Sequence, residues 1–444
     1  MKLHDFLGLN SRNHLYTSKY NSRGGKRIAN SKLLTKETLH KAHVRVPKTF
    51  VKISTLEQLD NFDFLTLPPD FVVKPNNGLG GEGIVVIERQ GEFAGEWIDS
   101  QGDTFATADI RLHIADILSG RYSMDDQPDI AYIEERVRVH PVFEKYSYHG
   151  TPDIRVIVFN EIPIMSYVRL PTEESGGRAN LFQGAAAAGI DIATGITTYG
   201  VHHGRPIDVF PGTRRKLAGI HIPQWEEILE TAIAASKAIG LGYMASDIVL
   251  QTVDKVKGES IKGKVASDEP TGAVPMILEV NAQPGLKIQI ANRAGLWERL
   301  NRVQGLKVVS PRHGIRVAQA LFADPKLQEK GLGRKTVGAY EEVEVQGLNG
   351  KILTITAKID TGADGSSIDE SLAHELGLTD SDNVLYYDYF SNANGRKRRK
   401  IVGVTFVMAG RRVKTQISIA DRSRLRTKIL IGRRDLKQFA VVVG

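Results

Sequence analysis

The 444-residue chain contains no cysteine, which excludes disulfides, thiolate zinc sites and a cysteine nucleophile together. Any catalytic metal must then take oxygen or imidazole ligands. There is no uninterrupted apolar run long enough to span a bilayer. The opening residues, MKLHDFLGLNSRNHLY, lack the apolar core and small-residue cleavage site of a secretory signal. A cytoplasmic enzyme is the expectation. No repeat of fixed period is present, and only GRKRRK, residues 395–400, approaches low complexity. Two familiar phosphate loops are missing as well: no Gly-Lys-Ser/Thr opens a helix, and no glycine fingerprint ends on a helix N-terminus. What is present is 41% hydrophobic and 25% charged residues, the balance of a soluble globular protein. The length implies two or three domains. A net charge of +8 suits acidic partners, and equally serves solubility alone.

Residues 71–87, FVVKPNNGLGGEGIVVI, place four glycines between two strand-forming runs. Lys74 ends the first run, Gly78, Gly80, Gly81 and Gly83 let the backbone approach an anion, and Ile84 to Ile87 run back. Such a hairpin can fold over a triphosphate; on the glycines alone, an ordinary hairpin with a flexible tip is the alternative. Before it, SKLLTKETLHKAH predicts a helix over 31–43 with Ser31 as cap and Leu33, Leu34, Thr38, Leu39 and Ala42 at helical spacing. After it come a hairpin, a helix near 107–119 and a buried strand over 131–139. Two alternating strands, DIRVIVF and IPIMSYVRL, turn at Asn160-Glu161, and a flexible small-residue stretch follows over 173–189. A helix over about 223–240 puts Trp225, Ile228, Leu229, Ala232 and Ile233 on one face. It leads to GYMASDIVL, which a polar surface loop over 254–272 separates from its expected pairing strand in PMILEVNAQPGL.

Asp247 lies in the first of these two strands, and Glu279 and Asn281 in the second. Glu279 and Asn281 are two apart, so an extended strand projects both from one face. With Asp247 they form a hard-oxygen set suited to magnesium on nucleotide phosphates. Each acidic residue alone reads as a solvated strand-end charge; together, downstream of a glycine hairpin that begins at a lysine, they favour a site.

The ordered set SKLLTKETLHKAHVRVPKT, VVKPNNGLGGEG, YIEERV, DIRVIVF, GRANLFQGAAAAGID, GYMASDIVL and LEVNAQPG resembles the ATP-grasp ligases, specifically the RimK-type glutamate ligases and their relatives, over residues 30 to about 295. The resemblance implies an α+β fold in which two α/β subdomains clasp ATP, here over residues 1–325. Lys32 and Lys74 would touch ATP, and Ile133–Val137 would form the adenine hinge. Glu134 or Glu135 would be its polar contact, with the register open. Asp247, Glu279 and Asn281 would hold magnesium, or manganese in its place. Only about 30 residues precede the first matched helix, so the usual N-terminal α/β domain is expected to be missing or reduced. The implied chemistry joins a carboxylate to an amine through an acyl phosphate, by positioning and charge neutralisation. Arg155, Arg169 and Arg178 suit it, since a guanidinium fork binds carboxylate or phosphoryl oxygens, with Asn180 assisting. Asp153 is placed to orient Arg155. His202 and His203 are adjacent, and because successive strand residues face opposite ways, a shared metal is not expected.

Composition shifts near residue 325: 326–336 reads as a linker, and 337–444 is rich in short alternating strands, the pattern of a small all-β domain. ILTITAKIDTGADGSSI, with Asp360-Thr361-Gly362, followed far downstream by KILIGRRDL, resembles half of a retropepsin-like aspartic peptidase, including relatives found beside RimK-type ligases. Aspartic proteolysis needs two carboxylates sharing a proton, and one half supplies one. Asp364 and Asp369 fall in the following turn and helix start, so Asp360 could be completed only by a homodimer. Peptide binding or dimerisation without cleavage is the equal alternative. The cluster Arg396, Lys397, Arg398, Arg399 and Lys400 could take an acidic peptide; without interleaved aromatics, it reads as a solvated hairpin tip, and nucleic acid is not expected. Three functional readings follow: a ligase fused to a domain that cleaves or binds the modified peptide, an ATP-regulated dimeric peptidase, and a nucleotide- and peptide-binding scaffold that ligates nothing.

Overall fold

The computed structural model describes residues 5–78, 80–123, 126–253, 272–324, 335–392, 395–437 and 439–442. The chain divides into two compact units. The first holds the residues up to Val158 with Met165–Ile190 and Ile196–Trp297; the second holds Phe159–Ile164, Asp191–Gly195 and Glu298–Gly444.

The first unit contains two sheets. One is built from β1 (Thr49–Ile53), β2 (Phe71–Pro75), β3 (Val85–Gln90), β4 (Glu96–Asp99), β5 (Thr104–Ala106) and β6 (Ala131–Glu134), in the order β1-β6-β2-β3-β4-β5. Every neighbouring pair is antiparallel. Helix Thr107–Leu118 turns Ile110, Ile114 and Ile117, at helical spacing, into a core with Phe71 and Val73, which alternate onto the same face of β2. The other sheet comprises β7 (Asp153–Phe159), β8 (Ile162–Leu170), β9 (Ala186–Ile190), β10 (Thr197–His202), β11 (Arg205–Ile207), β12 (Tyr243–Val253) and β13 (Gly272–Asn281), ordered β11-β10-β9-β8-β7-β12-β13. Helix Trp225–Ile239 buries all five residues of its expected face and closes at Gly240 in the left-handed region. The helical lead before residue 30 is tied in by Asn21, whose amide donates to the carbonyls of Tyr243 (2.7 Å) and Ala282 (3.0 Å) and accepts the Tyr243 N–H (2.9 Å).

Helix Lys32–Lys41 begins where expected, with the Ser31 hydroxyl accepting the Leu34 N–H. Two expectations change. The stretch 173–189 is not flexible throughout: Ala186–Ile190 is a fully buried strand, because alanines let β9 pack closely between β8 and β10. The strand expected over 131–139 stops at Glu134, where its ladder with β2 ends. β12 and β13 pair as predicted, while the intervening segment 254–271 lies outside the described residues.

In the second unit, β14 (Lys335–Val337) pairs with β22 (Phe439–Val441), and seven strands form a separate sheet: β15 (Tyr340–Gln346), β16 (Ile352–Asp360), β17 (Ser367–Asp369), β18 (Val384–Asn392), β19 (Gly395–Met408), β20 (Arg411–Ala420) and β21 (Ile429–Gly432). Their order is β15-β16-β21-β17-β20-β19-β18, and β15 also pairs with β19, which rolls the sheet around a core of Val343, Ile368, Val402, Phe406 and Ile431. This domain is mainly β, with a short helix at Glu370–Glu375, and helix Pro311–Phe322 groups with it. The expected linker lies outside the described residues as far as 334. Among the described residues, no helix is long and apolar enough to cross a membrane.

Candidate functional site

The glycine loop joins β2 to β3 and is pinned at its root. The Asn76 side-chain oxygen, Oδ1, accepts the Leu33 N–H (2.8 Å) and the Ser31 hydroxyl (3.0 Å), and Asp129 takes the Asn77 N–H and side-chain amide, both at 2.8 Å. Lys32 donates to the Gly78 carbonyl (2.7 Å). Near its end, Gly83 adopts φ +70°, where a Cβ would meet the Tyr122 ring at 2.6 Å; only glycine combines that backbone with that neighbour.

Beside this loop, Glu134 is 2% exposed and receives Lys74 on one carboxylate oxygen and Lys36 on the other, each at 2.5 Å. Of the two glutamates, Glu134 points inward onto the lysines, while Glu135 is only partly buried and accepts the Lys48 N–H. Burial alone would raise the Glu134 pKa, but Lys74 and Lys36 hold it below its ordinary value. Burial lowers Lys32, against the attraction of Glu279, and lowers Lys36, against that of Glu134. Lys36 and Lys74 thus share one carboxylate, while Lys32, which feels Glu279 and Asp129 as well, is held by the loop itself. Lys36 was missed by sequence reasoning, although its i,i+4 spacing from Lys32 puts both on one helix face. Asn76 and Asp129, which brace the loop, were missed too.

On the second sheet, Asp153 and Arg155 alternate onto one face of β7, where Arg169 of β8 and Asp247 of β12 meet them. Arg155 grips Asp247 with two parallel bonds, Nε to Oδ1 and NH2 to Oδ2, both 2.6 Å. Arg169 grips Asp153 similarly (2.6 and 2.5 Å) and reaches Asp247 Oδ2 at 2.8 Å. Asp153 therefore orients Arg169 rather than Arg155. Asp247 is 1% exposed; burial would raise its pKa, but Arg155 and Arg169 hold it low. Burial raises Asp153 to about 6, opposed by Arg169 and reinforced by the Asp247 charge.

The Asn281 amide adds a fourth donor to Asp247, at 3.1 Å. Three of these four bonds fall on Oδ2 and one on Oδ1, so a cation at Asp247 would share the carboxylate with two arginines. Glu279, opposite Asp247 in the strand register, and the Asn281 side-chain oxygen are hard-oxygen donors of the kind suited to magnesium.

The loop over 173–185 carries Arg178 and Asn180. Asn180 reaches the Gly80 carbonyl (3.4 Å), and a Cβ on Gly81 would lie 3.7 Å from Arg178 Cδ. Arg178 is exposed, and its guanidinium has no hydrogen-bond or ion-pair partner among the described residues. Unlike Arg155 and Arg169, it is unspent. His202 and His203 do come together, ring centroids 4.1 Å apart, because His203 takes φ +49° in a turn and escapes the strand alternation that would separate them.

In the second unit, Asp360 ends β16, and its Oδ1 accepts the N–H groups of Gly362 (3.0 Å) and Ala363 (3.1 Å). Lys358 bonds Oδ2 at 3.1 Å, and that bond, ahead of the backbone donors, lowers the Asp360 pKa. No second carboxylate joins it among the described residues: Asp364 is exposed and paired with Arg433, and buried Asp369 is held by Ser371, Lys428 and the Arg422 N–H. Asp435, whose role the sequence did not disclose, accepts the hydroxyls of Ser366 (2.5 Å) and Thr415 (2.7 Å) and so ties the start of β17 to β20. The basic hairpin does have interleaved aromatics, supplied across the ladder from β18: Arg396 lies over Tyr389 (4.5 Å), Arg398 over Tyr387 (4.2 Å) and Arg399 over Phe390 (4.9 Å).

The family model for sugar-transfer associated ATP-grasp matches residues 11–257, and that for aspartyl protease matches residues 342–434. Among solved structures, the chain is similar to the ATP-grasp ligase PsnB complexed with a phosphomimetic variant of minimal precursor, Mg and ADP, at 14% identity over 64% of this chain and 60% of that one, TM-score 0.31. It is similar to D-alanine–D-alanine ligase from Bacillus anthracis at 13% over 64% and 65%, TM-score 0.31. It is similar to simian foamy virus protease at 18% over 22% and 90%, TM-score 0.17. The chain thus spans less than two thirds of the length of either ligase. No curated protein matches it.

Proposed function

The chain belongs to the sugar-transfer associated ATP-grasp family, and from that premise we propose that it is an ATP-dependent carboxylate–amine ligase forming an amide through an acyl phosphate. The observation that carries this is the pair Lys36 and Lys74 fixed on buried Glu134 at the root of the glycine loop, where Lys32 also bonds the loop, with Arg178, unpaired among the described residues, beside Gly81. Lys32 and Lys74 would meet ATP phosphates, and the loop would exclude water from them. Glu279 and Asn281 would hold magnesium, or manganese in its place, whose charge offsets that of the phosphates when bound. Arg178 would orient the attacking carboxylate, and Asn180 would keep Arg178 close to the loop. Arg155 and Arg169, each held by a carboxylate, would offer donors already fixed in place, which need no reorganisation as charge moves. An amino acid, glutamate in the RimK-type manner, is the proposed acid, with an amino acid or peptide as amine.

Arg178→Ala is expected to lower acceptor-dependent ADP formation about 10²- to 10³-fold, the scale of losing one preorganised charge partner of the reacting group, while thermal unfolding stays unchanged. The assay supplies ATP, magnesium and a mixed amino-acid and peptide pool, with the product's mass shift naming the added unit. Turnover within twofold of the unmodified chain would remove Arg178 from the reaction.

For the second unit we propose a peptide-processing role, with proteolysis confined to a homodimer. The observation behind it is that Asp360 stands at a strand end with one oxygen fixed by two N–H groups and, among the described residues, no second carboxylate beside it. The stacked arginines of the basic hairpin suit an acidic peptide, such as a ligase that adds acidic residues would make. Cleavage of acidic peptides should rise with the dimer fraction in sedimentation and vanish in Asp360→Asn; cleavage by a monomer, or by that variant, would contradict it.

A further inference from the structure

We propose that Glu174, His202 and His203 form a zinc site that fastens the loop carrying Arg178 and Asn180 to the β10–β11 hairpin. The hairpin closes in a two-residue turn, His203-Gly204, with His202 paired to Arg205 across it. Both turn residues have positive φ, +49° and +73°, the conformation that matches strand twist in such turns. That backbone swings the His203 ring beside the His202 ring. Glu174 then reaches both from the loop, its Oε2 lying 2.9 Å from His203 Nε2 and 3.5 Å from His202 Nε2. The three ligand atoms all lie within 4.8 Å of one another.

The distances suit one ion. With zinc bonds of about 2.0–2.2 Å in a tetrahedron, ligand atoms sit about 3.3 Å apart, a value bracketed by the two carboxylate–imidazole separations. Two imidazoles and one carboxylate are a zinc donor set with one position left open, and a poor one for magnesium, which demands oxygen. Room for the carboxylate comes from Gly184, with φ +98°: a Cβ there would stand 2.9 Å from the Glu174 carboxyl carbon. His202 Nε2 now lies 2.9 Å from the Gly184 carbonyl, and it would exchange that contact for the metal. Glu174 is four residues before Arg178 and six before Asn180, so an ion here restrains both beside Gly80 and Gly81 while leaving the proposed magnesium donors untouched.

The test uses the untagged full-length chain, stripped with chelator and titrated with zinc alone. One zinc per chain should bind and survive millimolar magnesium, and His203→Ala and Glu174→Gln should each weaken it at least tenfold, with circular dichroism unchanged. Zinc should also slow proteolysis between residues 173 and 184 in the unmodified chain and not in His203→Ala. These readouts do not depend on ligase activity. Failure to retain zinc, or equal retention by the unmodified chain and both variants, would overturn the site.

Discussion

Asp247→Asn is expected to lower acceptor-dependent ADP formation by about 10³-fold, and to destabilise the first unit by roughly 3–5 kcal/mol, the range for removing one partner of a buried ion pair. The residue is 1% exposed and receives two bonds from Arg155 and one from Arg169. Asparagine keeps one acceptor oxygen and no charge, so buried Arg155 would lose its counter-ion and bidentate grip, while Arg169 would keep only Asp153. A metal-ligand role alone predicts the loss of activity without the loss of stability in magnesium-free buffer. Denaturant unfolding there, followed through the first unit's own transition because two units need not unfold together, separates the two. The pH dependence has a definite sign. The folded-state pKa of Asp247 is depressed, so its stabilisation is complete above the ordinary aspartate range and declines as the pH falls below it. The gap between the unmodified chain and Asp247→Asn should therefore close in acid.

Glu134→Gln is the second large effect. Lys36 and Lys74 both end on this carboxylate, at 2.5 Å and with little solvent access. Removing its charge strands two ammonium groups, and a loss of about 3–5 kcal/mol is expected, with weakened ATP binding because Lys74 no longer has a fixed position. Adding Lys36→Met should recover part of the stability, since an apolar side chain of similar volume needs no partner. A double variant as unstable as the sum of its parts would show that Lys36 and Glu134 are not coupled. Glu134 also has a depressed folded-state pKa, so its contribution too fades as the pH drops below the ordinary glutamate range near 4.5.

Much of this was written locally in the chain. Ser31 before an amphipathic run marks a helix start, four glycines after Lys74 mark a loop, and the two-residue spacing of Glu279 and Asn281 puts them on one strand face. What stayed hidden depends on partners far away or on single backbone angles. Lys36 and Glu134 are 98 residues apart, and nothing in either neighbourhood announces the other. Asp247 reads as a metal ligand in the sequence, and the two arginines that β7 and β8 bring to it are not legible there. Strand alternation separates His202 from His203 only while φ stays negative, and one left-handed residue reverses that conclusion. The aromatics of the basic hairpin are absent from GRKRRK because they come from the neighbouring strand, where Tyr389 faces Arg398 in register.

The most direct test of the ligase follows the carboxylate oxygen. If a carboxylate attacks ATP and an amine then displaces phosphate, one oxygen of the acid leaves with that phosphate. Incubating the full chain with ATP, magnesium and a pool of amino acids and peptides labelled with ¹⁸O in their carboxyl groups should give phosphate carrying one ¹⁸O, in step with the new amide. Phosphate free of label alongside ADP would mean that water, not a carboxylate, receives the phosphoryl group, and would contradict the account.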